Sequence, residues 1–202
     1  AVGFALAVTL PKAGNLGGGG FMLVHLAEQD RIIALDYREM APLGASRNMF
    51  LDVEGEVNPQ LSRNSYRSAA VPGTVAGLLQ ALREYGTMEP KQVISPAIEL
   101  ASKGFVLSHA LADEFKSRRT QLSRSEAGRK IFFKVDGSAY KAGERFIQKD
   151  LAWSLKQIAH QGEKAFYQGE IAERFAADSN KNGGLIGLDD LAAYTVAKRE
   201  PV

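Results

Sequence analysis

The segment Asp36-Tyr37-Arg38-Glu39 places charged side chains where a predicted strand ends. Side chains at such a position often line a pocket. Arg38 is suited to binding a carboxylate, because its planar guanidinium offers two parallel, charge-assisted hydrogen bonds. The competing interpretation is an ion pair with Asp36, Glu39 or another carboxylate, and spacing alone favours that interpretation.

A run of glycines, Gly17 to Gly20, precedes the strand. A phosphate-binding loop would continue with Lys and Ser or Thr, whereas Phe21 and Met22 follow here. No register matches the glycine spacing of a dinucleotide fingerprint, and a strand rather than a helix comes next. The sequence therefore favours a structural loop where two backbones approach closely over a ligand-binding loop.

Other chemically active residue types do not assemble into a recognisable site. His25, His109 and His160 do not cluster, so we predict no metal site and no cofactor. No cysteine is present, which excludes a cysteine nucleophile, thiolate metal ligands and disulfides. No serine lies in a G-x-S-x-G motif.

Charge and hydropathy exclude further classes of function. The 25 basic and 23 acidic residues are interleaved and give a net charge of only +2, so we predict no nucleic-acid partner. No apolar run approaches the roughly 20 residues of a membrane span. The composition, 45% hydrophobic and 24% charged, is that of a globular protein.

Two apolar runs, Phe21–Ala27 and Ile32–Asp36, flank a polar turn and predict a β-hairpin. The first run is almost continuously apolar, which predicts a strand covered on both faces. Residues Thr195–Val202 resemble a strand that has begun but not ended. With a start that resembles mid-helix, this predicts that residues 1–202 are a single domain fragment, incomplete at both ends.

The rest of the chain is predicted to be mostly helical, with loops over Arg38–Arg67 and Ser123–Lys149. The predicted helices are Ala1–Val8, one capped by Thr74 and ended by Gly86, one from Pro90 to Gly104, about Ser108–Leu122, one carrying Leu151, Leu155 and Ile158, about Ile171–Ala177, and a short one starting at Asp189 or Asp190.

Four segments, in their order and spacing, closely resemble the γ-glutamyltranspeptidase family, and the resemblance covers essentially the whole chain. They are Ala1–Thr9 leading through Ala13–Leu16 and four glycines to Met22; Asp36–Glu39 with Ala41-Pro42; Val71–Gly77; and Asn182–Ile186 followed by Asp189–Tyr194. The resemblance identifies the chain as the large-subunit portion of such an enzyme.

The resemblance implies an α+β fold, part of the helix-rich αββα sandwich of N-terminal nucleophile hydrolases. It implies a precursor that cuts itself into a large and a small subunit. A threonine at the start of the small subunit would attack γ-glutamyl donors such as glutathione, using its own amine as base. Water, an amino acid or a peptide would then accept the γ-glutamyl group. Family members in bacteria are commonly periplasmic or extracellular.

For this chain, the resemblance assigns substrate binding to Arg38, as the clamp for the α-carboxylate of the glutamyl group. This reverses the preference for an ion pair. No catalytic residue is expected here, because none of Thr9, Thr74, Thr87, Thr120 and Thr195 lies in the family's nucleophile context. Two alternatives stay open: a related acylase acting on glutaryl-cephalosporins or γ-polyglutamate, and a non-catalytic module that binds carboxylates.

Overall fold

The computed structural model describes residues 1–201. Contacts between Cα atoms divide this chain into two compact units. Unit 1 consists of Ala1–Gly14 and Ile94–Lys156, and unit 2 consists of Asn15–Val93 and the chain from Gln157 onward. Arg38, the predicted ligand-binding residue, belongs to unit 2.

Helices dominate the described chain, and its strands are few and short. The helices are α1 (Val2–Thr9), α2 (Pro59–Asn64), α3 (Thr74–Tyr85), α4 (Pro90–Lys103), α5 (His109–Ser117), α6 (Arg119–Leu122), α7 (Glu126–Phe132), α8 (Lys149–Gln161), α9 (Glu163–Tyr167), α10 (Glu170–Lys181) and α11 (Leu188–Ala192). The strands are β1 (Phe21–Leu26), β2 (Arg31–Asp36), β3 (Phe105–Val106), β4 (Arg145–Phe146) and β5 (Ala197–Arg199).

Unit 2 contains an antiparallel sheet with the strand order β1-β2-β5. Strands β1 and β2 form the predicted hairpin, in which Phe21 pairs with Asp36 and Leu26 with Arg31. A single 3₁₀ turn, Ala27–Gln29, joins the two strands, and Asp30 closes it in the left-handed conformation (φ 45°). The strand predicted near the end of the chain is β5, although Val202 lies outside the described residues.

The prediction that β1 is covered on both faces is wrong for the described chain. Phe21 and Leu23 are 67% and 70% exposed, and Ile32 on the same face of β2 is 50% exposed. We call this surface, formed by Phe21, Leu23, His25, Ile32 and Ala34, the open face of the sheet. The apolar run correctly indicated that both faces are apolar, but residues 1–201 cover only one of them.

Helix α3 packs against β2 on the covered face. Leu35 of β2 and Val75 of α3 are fully buried. At Gly77 of α3 a Cβ atom would collide with the ring of Tyr37, so the missing side chain allows the helix to lie against the strand. Helix α9 packs between α3 and α10 and contributes buried residues Phe166 and Tyr167.

Unit 1 has its own aromatic core, which β3 and β4 help to form as a two-stranded pair. Phe146 is fully buried among Leu107, Leu111 and Phe115. Its ring lies 5.1 Å from the ring of Phe115 and 5.3 Å from that of Tyr140, in tilted and edge-on contacts typical of aromatic clusters.

Most of the predicted helices are confirmed, with three differences. Thr74 is the first residue of α3 rather than its cap, because the N–H groups of Gly73 and Thr74 both donate to the carbonyl of Gly18. The helix predicted over Ser108–Leu122 is divided at Arg118 into α5 and α6. The helix predicted over Ile171–Ala177 extends to Glu170–Lys181.

The segments predicted as loops contain short helices. α2 lies within Arg38–Arg67, and α7 and β4 lie within Ser123–Lys149. The side chain of Asn58 caps α2 by accepting from Gln60 N, and that of Ser125 caps α7 by accepting from Gly128 N. Asn and Ser are residue types that favour this position. Both helices are only six or seven residues long, which leaves too few turns for a periodic apolar stripe.

Candidate substrate-binding site

Arg38 follows β2 and points onto the open face of the sheet. Its side chain is 60% exposed, and its Cζ atom lies 6.0 Å from the centre of the Phe21 ring. Phe21 therefore forms an apolar wall beside the guanidinium. A ligand bound by Arg38 would lie over the open face rather than inside either compact unit.

The guanidinium has a free edge. Its Nε lies 3.4 Å from Oε2 of Glu39, and this buried oxygen has no hydrogen-bond partner in the described chain. Asp36, the other candidate partner, is engaged by Arg199, whose Nε lies 2.6 Å from Asp36 Oδ2. Within residues 1–201, neither Nη atom of Arg38 has a polar partner, so the two donors that match a carboxylate remain available.

Asp36 stabilises the end of the strand. Its Oδ1 accepts the backbone N–H of Arg38 at 3.1 Å, and its Oδ2 binds Arg199 of β5. The hydrogen bond from the Arg38 N–H, followed by that from the Arg199 side chain, lowers the pKa of the Asp36 carboxyl below its ordinary value of 3.8. One carboxylate thus fixes the backbone of Arg38 and joins β2 to β5.

The glycine loop lies directly against this segment. Gly20 and Tyr37 exchange two backbone hydrogen bonds, of 2.9 and 3.2 Å. A Cβ atom on Gly19 would lie 2.5 Å from the carbonyl oxygen of Tyr37 and 2.9 Å from Cα of Arg38. The predicted structural role of the loop, a close approach of two backbones, is confirmed.

Backbone hydrogen bonds hold the chain on both sides of Arg38. Tyr37 before it pairs with Gly20, and Met40 after it exchanges hydrogen bonds of 2.8 and 3.0 Å with Val71. The glycine loop and the segment leading into α3 are themselves joined, because Gly18 O accepts from Gly73 N at 2.8 Å. These three segments together hold the backbone on which the guanidinium is mounted.

Two tyrosines complete the surroundings, and sequence reasoning assigned no role to either. Tyr194 donates its hydroxyl hydrogen to the carbonyl oxygen of Arg38 at 2.9 Å. Its ring stacks on that of Tyr167, with 5.6 Å between centroids and 7° between planes. Tyr194 lies in the segment Asp189–Tyr194, which carries part of the family resemblance, and that is the signal in the sequence that could have indicated it.

The remaining candidate residues are not part of this arrangement. His25 lies in β1, His109 begins α5, and His160 lies in the last turn of α8. Among residues 1–201, no group of three or more His, Cys, Asp or Glu side chains is placed to hold a metal ion. No helix in that range is both long and apolar enough to cross a membrane.

Comparisons with known proteins agree with this architecture. The chain is 46% identical to the glutathione hydrolase proenzyme of Escherichia coli. The match covers 35% of the Escherichia coli protein and all of this chain. Its fold superimposes on the crystal structure of Helicobacter pylori γ-glutamyltranspeptidase with a TM-score of 0.97 and 49% identity, covering all of this chain and 57% of that one. A cephalosporin acylase from Bacillus halodurans is more distant, with a TM-score of 0.80 and 25% identity over 99% of this chain and 38% of that one.

These neighbours define the class of protein, the α+β fold of the N-terminal nucleophile hydrolases, as predicted. The family model for γ-glutamyltranspeptidase matches residues 1–202. The chain belongs to the γ-glutamyltranspeptidase family. It spans about a third of the length of the curated relatives that it matches, 35% for the first of them.

The close approach at Gly19 generates a prediction about stability. We expect Gly19→Ala to lower the free energy of unfolding by about 1–3 kcal/mol, because its methyl group would overlap the backbone at Tyr37 and Arg38. Gly17→Ala is the matched control, since a Cβ there meets no atom within 4 Å, and it should cost at most about 0.5 kcal/mol. Thermal unfolding of the complete protein measures both, and equal effects would contradict the assignment.

The Asp36 contacts generate a prediction about pH. A carboxyl whose pKa is lower in the folded state stabilises the protein above its unfolded-state pKa, and loses that effect as the pH falls through the folded value. Asp36→Asn should therefore lower Tm at pH 7, and the difference from the parent protein should begin to shrink near pH 4 and disappear only as the pH falls through the lowered folded-state pKa of Asp36. Asp30→Asn, at the exposed turn of the same hairpin, is the control and should change Tm little at any pH. A Tm difference for Asp36→Asn that persists unchanged at pH 2.5 would refute the account.

Proposed function

We propose that this chain is the large-subunit part of a γ-glutamyltransferase or glutathione hydrolase. The complete enzyme would cleave γ-glutamyl amides through a γ-glutamyl-enzyme intermediate and pass the γ-glutamyl group to water, amino acids or peptides. Arg38 would bind the α-carboxylate of the donor. The observation that carries this proposal is the free edge of its guanidinium, on a backbone held by three other segments.

The geometry around Arg38 suits an amino-acid headgroup. The two Nη donors can bind both oxygens of a carboxylate, while Glu39 contacts the guanidinium through Nε on another edge. Phe21 offers an apolar surface beside the guanidinium. These contacts bind and orient a donor, and the attacking threonine hydroxyl and its base would come from the small subunit.

The small subunit of the same precursor is the partner that we propose for the open face. That face exposes Phe21, Leu23 and Ile32, and a contiguous apolar patch on a sheet is typical of a buried interface. Strand β1 also lies at the edge of the three-stranded sheet, where another strand could pair with it. In this arrangement residues 1–202 are part of one catalytic domain shared by both subunits.

Location of the complete enzyme in the periplasm or outside the cell is likewise a proposal. It rests on the resemblance to bacterial members of the family. Glutathione is the donor that the names of the curated relatives suggest, and we extend it to this chain on the basis of 46% identity to the first of them.

Replacement of Arg38 tests the proposed role directly. In the complete enzyme, Arg38→Lys should lower kcat/KM for a γ-glutamyl anilide, because an ammonium cannot form the two parallel hydrogen bonds of a guanidinium. The decrease should correspond to a loss of about 2–4 kcal/mol of transition-state stabilisation. Arg31→Lys, on an exposed arginine at the opposite end of β2, is the matched control and should leave kcat/KM unchanged. Donor kinetics of Arg38→Lys close to those of the parent enzyme would refute the assignment.

Donor choice separates this function from that of a related acylase. A glutaryl anilide keeps the carboxylate that Arg38 would bind but lacks the α-amine of a γ-glutamyl anilide. The proposed transferase should hydrolyse the γ-glutamyl compound much faster. A preference for the glutaryl compound would indicate an acylase, and no turnover of either by the complete protein would indicate a non-catalytic module.

The open face generates a separate prediction about assembly. Leu23→Lys should strongly reduce the yield of the two-subunit enzyme, because it would bury an unpaired ammonium in the proposed interface. Val53→Lys, at a side chain that is 96% exposed, is the control and should assemble normally. Gel filtration of both variants measures the outcome, and normal assembly of Leu23→Lys would show that the small subunit does not cover this face.

A further inference from the structure

We infer that Tyr194 is a positioning residue for substrate binding: its hydroxyl fixes the Arg38 carbonyl, and so the direction in which the guanidinium meets the donor carboxylate. This inference rests on the proposed function of Arg38 and deepens it. It concerns a residue that does not itself contact the donor.

The first step of the argument concerns the Arg38 carbonyl. Tyr37 pairs with Gly20 and Met40 pairs with Val71, so the residues on either side have backbone partners. The Arg38 N–H has Asp36 Oδ1 as its acceptor, at 3.1 Å. The donor that the structure provides for the Arg38 carbonyl is the hydroxyl of Tyr194, at 2.9 Å. Without this hydroxyl, the Arg38 carbonyl would lose the hydrogen bond that the structure provides for it.

The second step concerns the rigidity of Tyr194. Its ring lies parallel to that of Tyr167, whose own hydroxyl donates to Pro72 O at 2.9 Å and accepts from Ala76 N at 3.3 Å. Tyr167 is buried, and these two hydrogen bonds fix it to the start of α3. A stacked ring on such a base can hold its hydroxyl in one place, as a mobile surface tyrosine could not.

The third step concerns the segment that carries Tyr194. Just before it, in α11, Asp190 is buried and its Oδ1 accepts the backbone N–H of Leu43 at 2.5 Å. Its Oδ2 accepts from Gly187 N at 2.7 Å. The segment Asp190–Tyr194 thus contacts the chain between Arg38 and Leu43 at both of those residues. This double attachment argues against an accidental contact of the Tyr194 hydroxyl.

The surrounding chain leaves space for this hydroxyl and keeps it protonated. At Gly73 a Cβ atom would collide with the hydroxyl oxygen of Tyr194, so a side chain at Gly73 would displace it. Burial, followed by the negative charges of Asp36 and Glu39, raises the pKa of Tyr194 to about 12. The phenol therefore remains a hydrogen-bond donor throughout the neutral pH range.

The test compares two competitive inhibitors of γ-glutamyl anilide hydrolysis by the complete enzyme. L-Glutamate has the α-carboxylate, and 4-aminobutyrate lacks it. Tyr194→Phe keeps the stacked ring and removes only the hydroxyl. We expect it to raise Ki for L-glutamate by roughly 3- to 10-fold, the equivalent of one hydrogen bond, and to leave Ki for 4-aminobutyrate unchanged. Tyr140→Phe, in the aromatic core of unit 1, is the matched control and should change neither constant.

A double-mutant cycle with Arg38→Lys shows whether Tyr194 acts through Arg38. In the Arg38→Lys background, Tyr194→Phe should have less than about a 2-fold further effect on Ki for L-glutamate, because coupled residues are not additive. Full additivity would overturn the inference. Equal increases for both inhibitors in Tyr194→Phe would also overturn it, since they would indicate a general structural defect.

The same data separate this inference from the proposed function. If Arg38→Lys raises Ki for L-glutamate and Tyr194→Phe does not, Arg38 keeps its role and the positioning role of Tyr194 is refuted. If Arg38→Lys itself has no effect, both fail. Should Tyr194→Phe not fold, a crystal structure of the unmodified enzyme with L-glutamate decides: Tyr194 Oη within 3.5 Å of Arg38 O supports the inference, and a longer separation refutes it.

Discussion

The arrangement around Arg38 depends on one steric constraint, the contact of a glycine loop with a neighbouring backbone. Gly18, Gly19 and Gly20 lie against the chain at Tyr37 to Glu39 and at Gly73, at distances that leave no room for a Cβ atom on Gly19. Because of this contact, the end of β2, the start of α3 and the loop become one hydrogen-bonded unit. The arginine extends from that unit towards the open face, and the side chains of Asp36 and Tyr194 hold its own backbone N–H and carbonyl.

The open face shows how folding and function are connected in this family member. The sequence of β1 is apolar on both sides, yet the described chain covers only the side that carries Leu35 and faces α3. Arg38 lies at the border of the uncovered side, next to Phe21. The surface that we propose is covered by the small subunit and a residue suited to a carboxylate thus lie side by side. In the proposed enzyme, assembly with the small subunit would therefore also complete the donor site.

Sequence patterns were informative where a local physical rule determines the structure. The hairpin followed from two apolar runs around a polar turn, and Gly86 and Gly104 marked the ends of α3 and α4. The structural role of the glycine loop followed from the residues after it. By contrast, the contacts of Tyr194 with Arg38 and of Asp190 with Leu43 join residues 156 and 147 positions apart, and no local pattern encodes them. Asp190 was predicted only as an acid at a helix start, whereas its main partner lies across the fold.

The most direct test of the account is a crystal structure of the complete two-subunit enzyme with bound L-glutamate. We predict that both Nη atoms of Arg38 lie about 2.7–2.9 Å from the two oxygens of the α-carboxylate, the geometry of a bidentate arginine–carboxylate pair. A glutamate headgroup bound elsewhere, with the Arg38 side chain extending into solvent, would contradict the central claim.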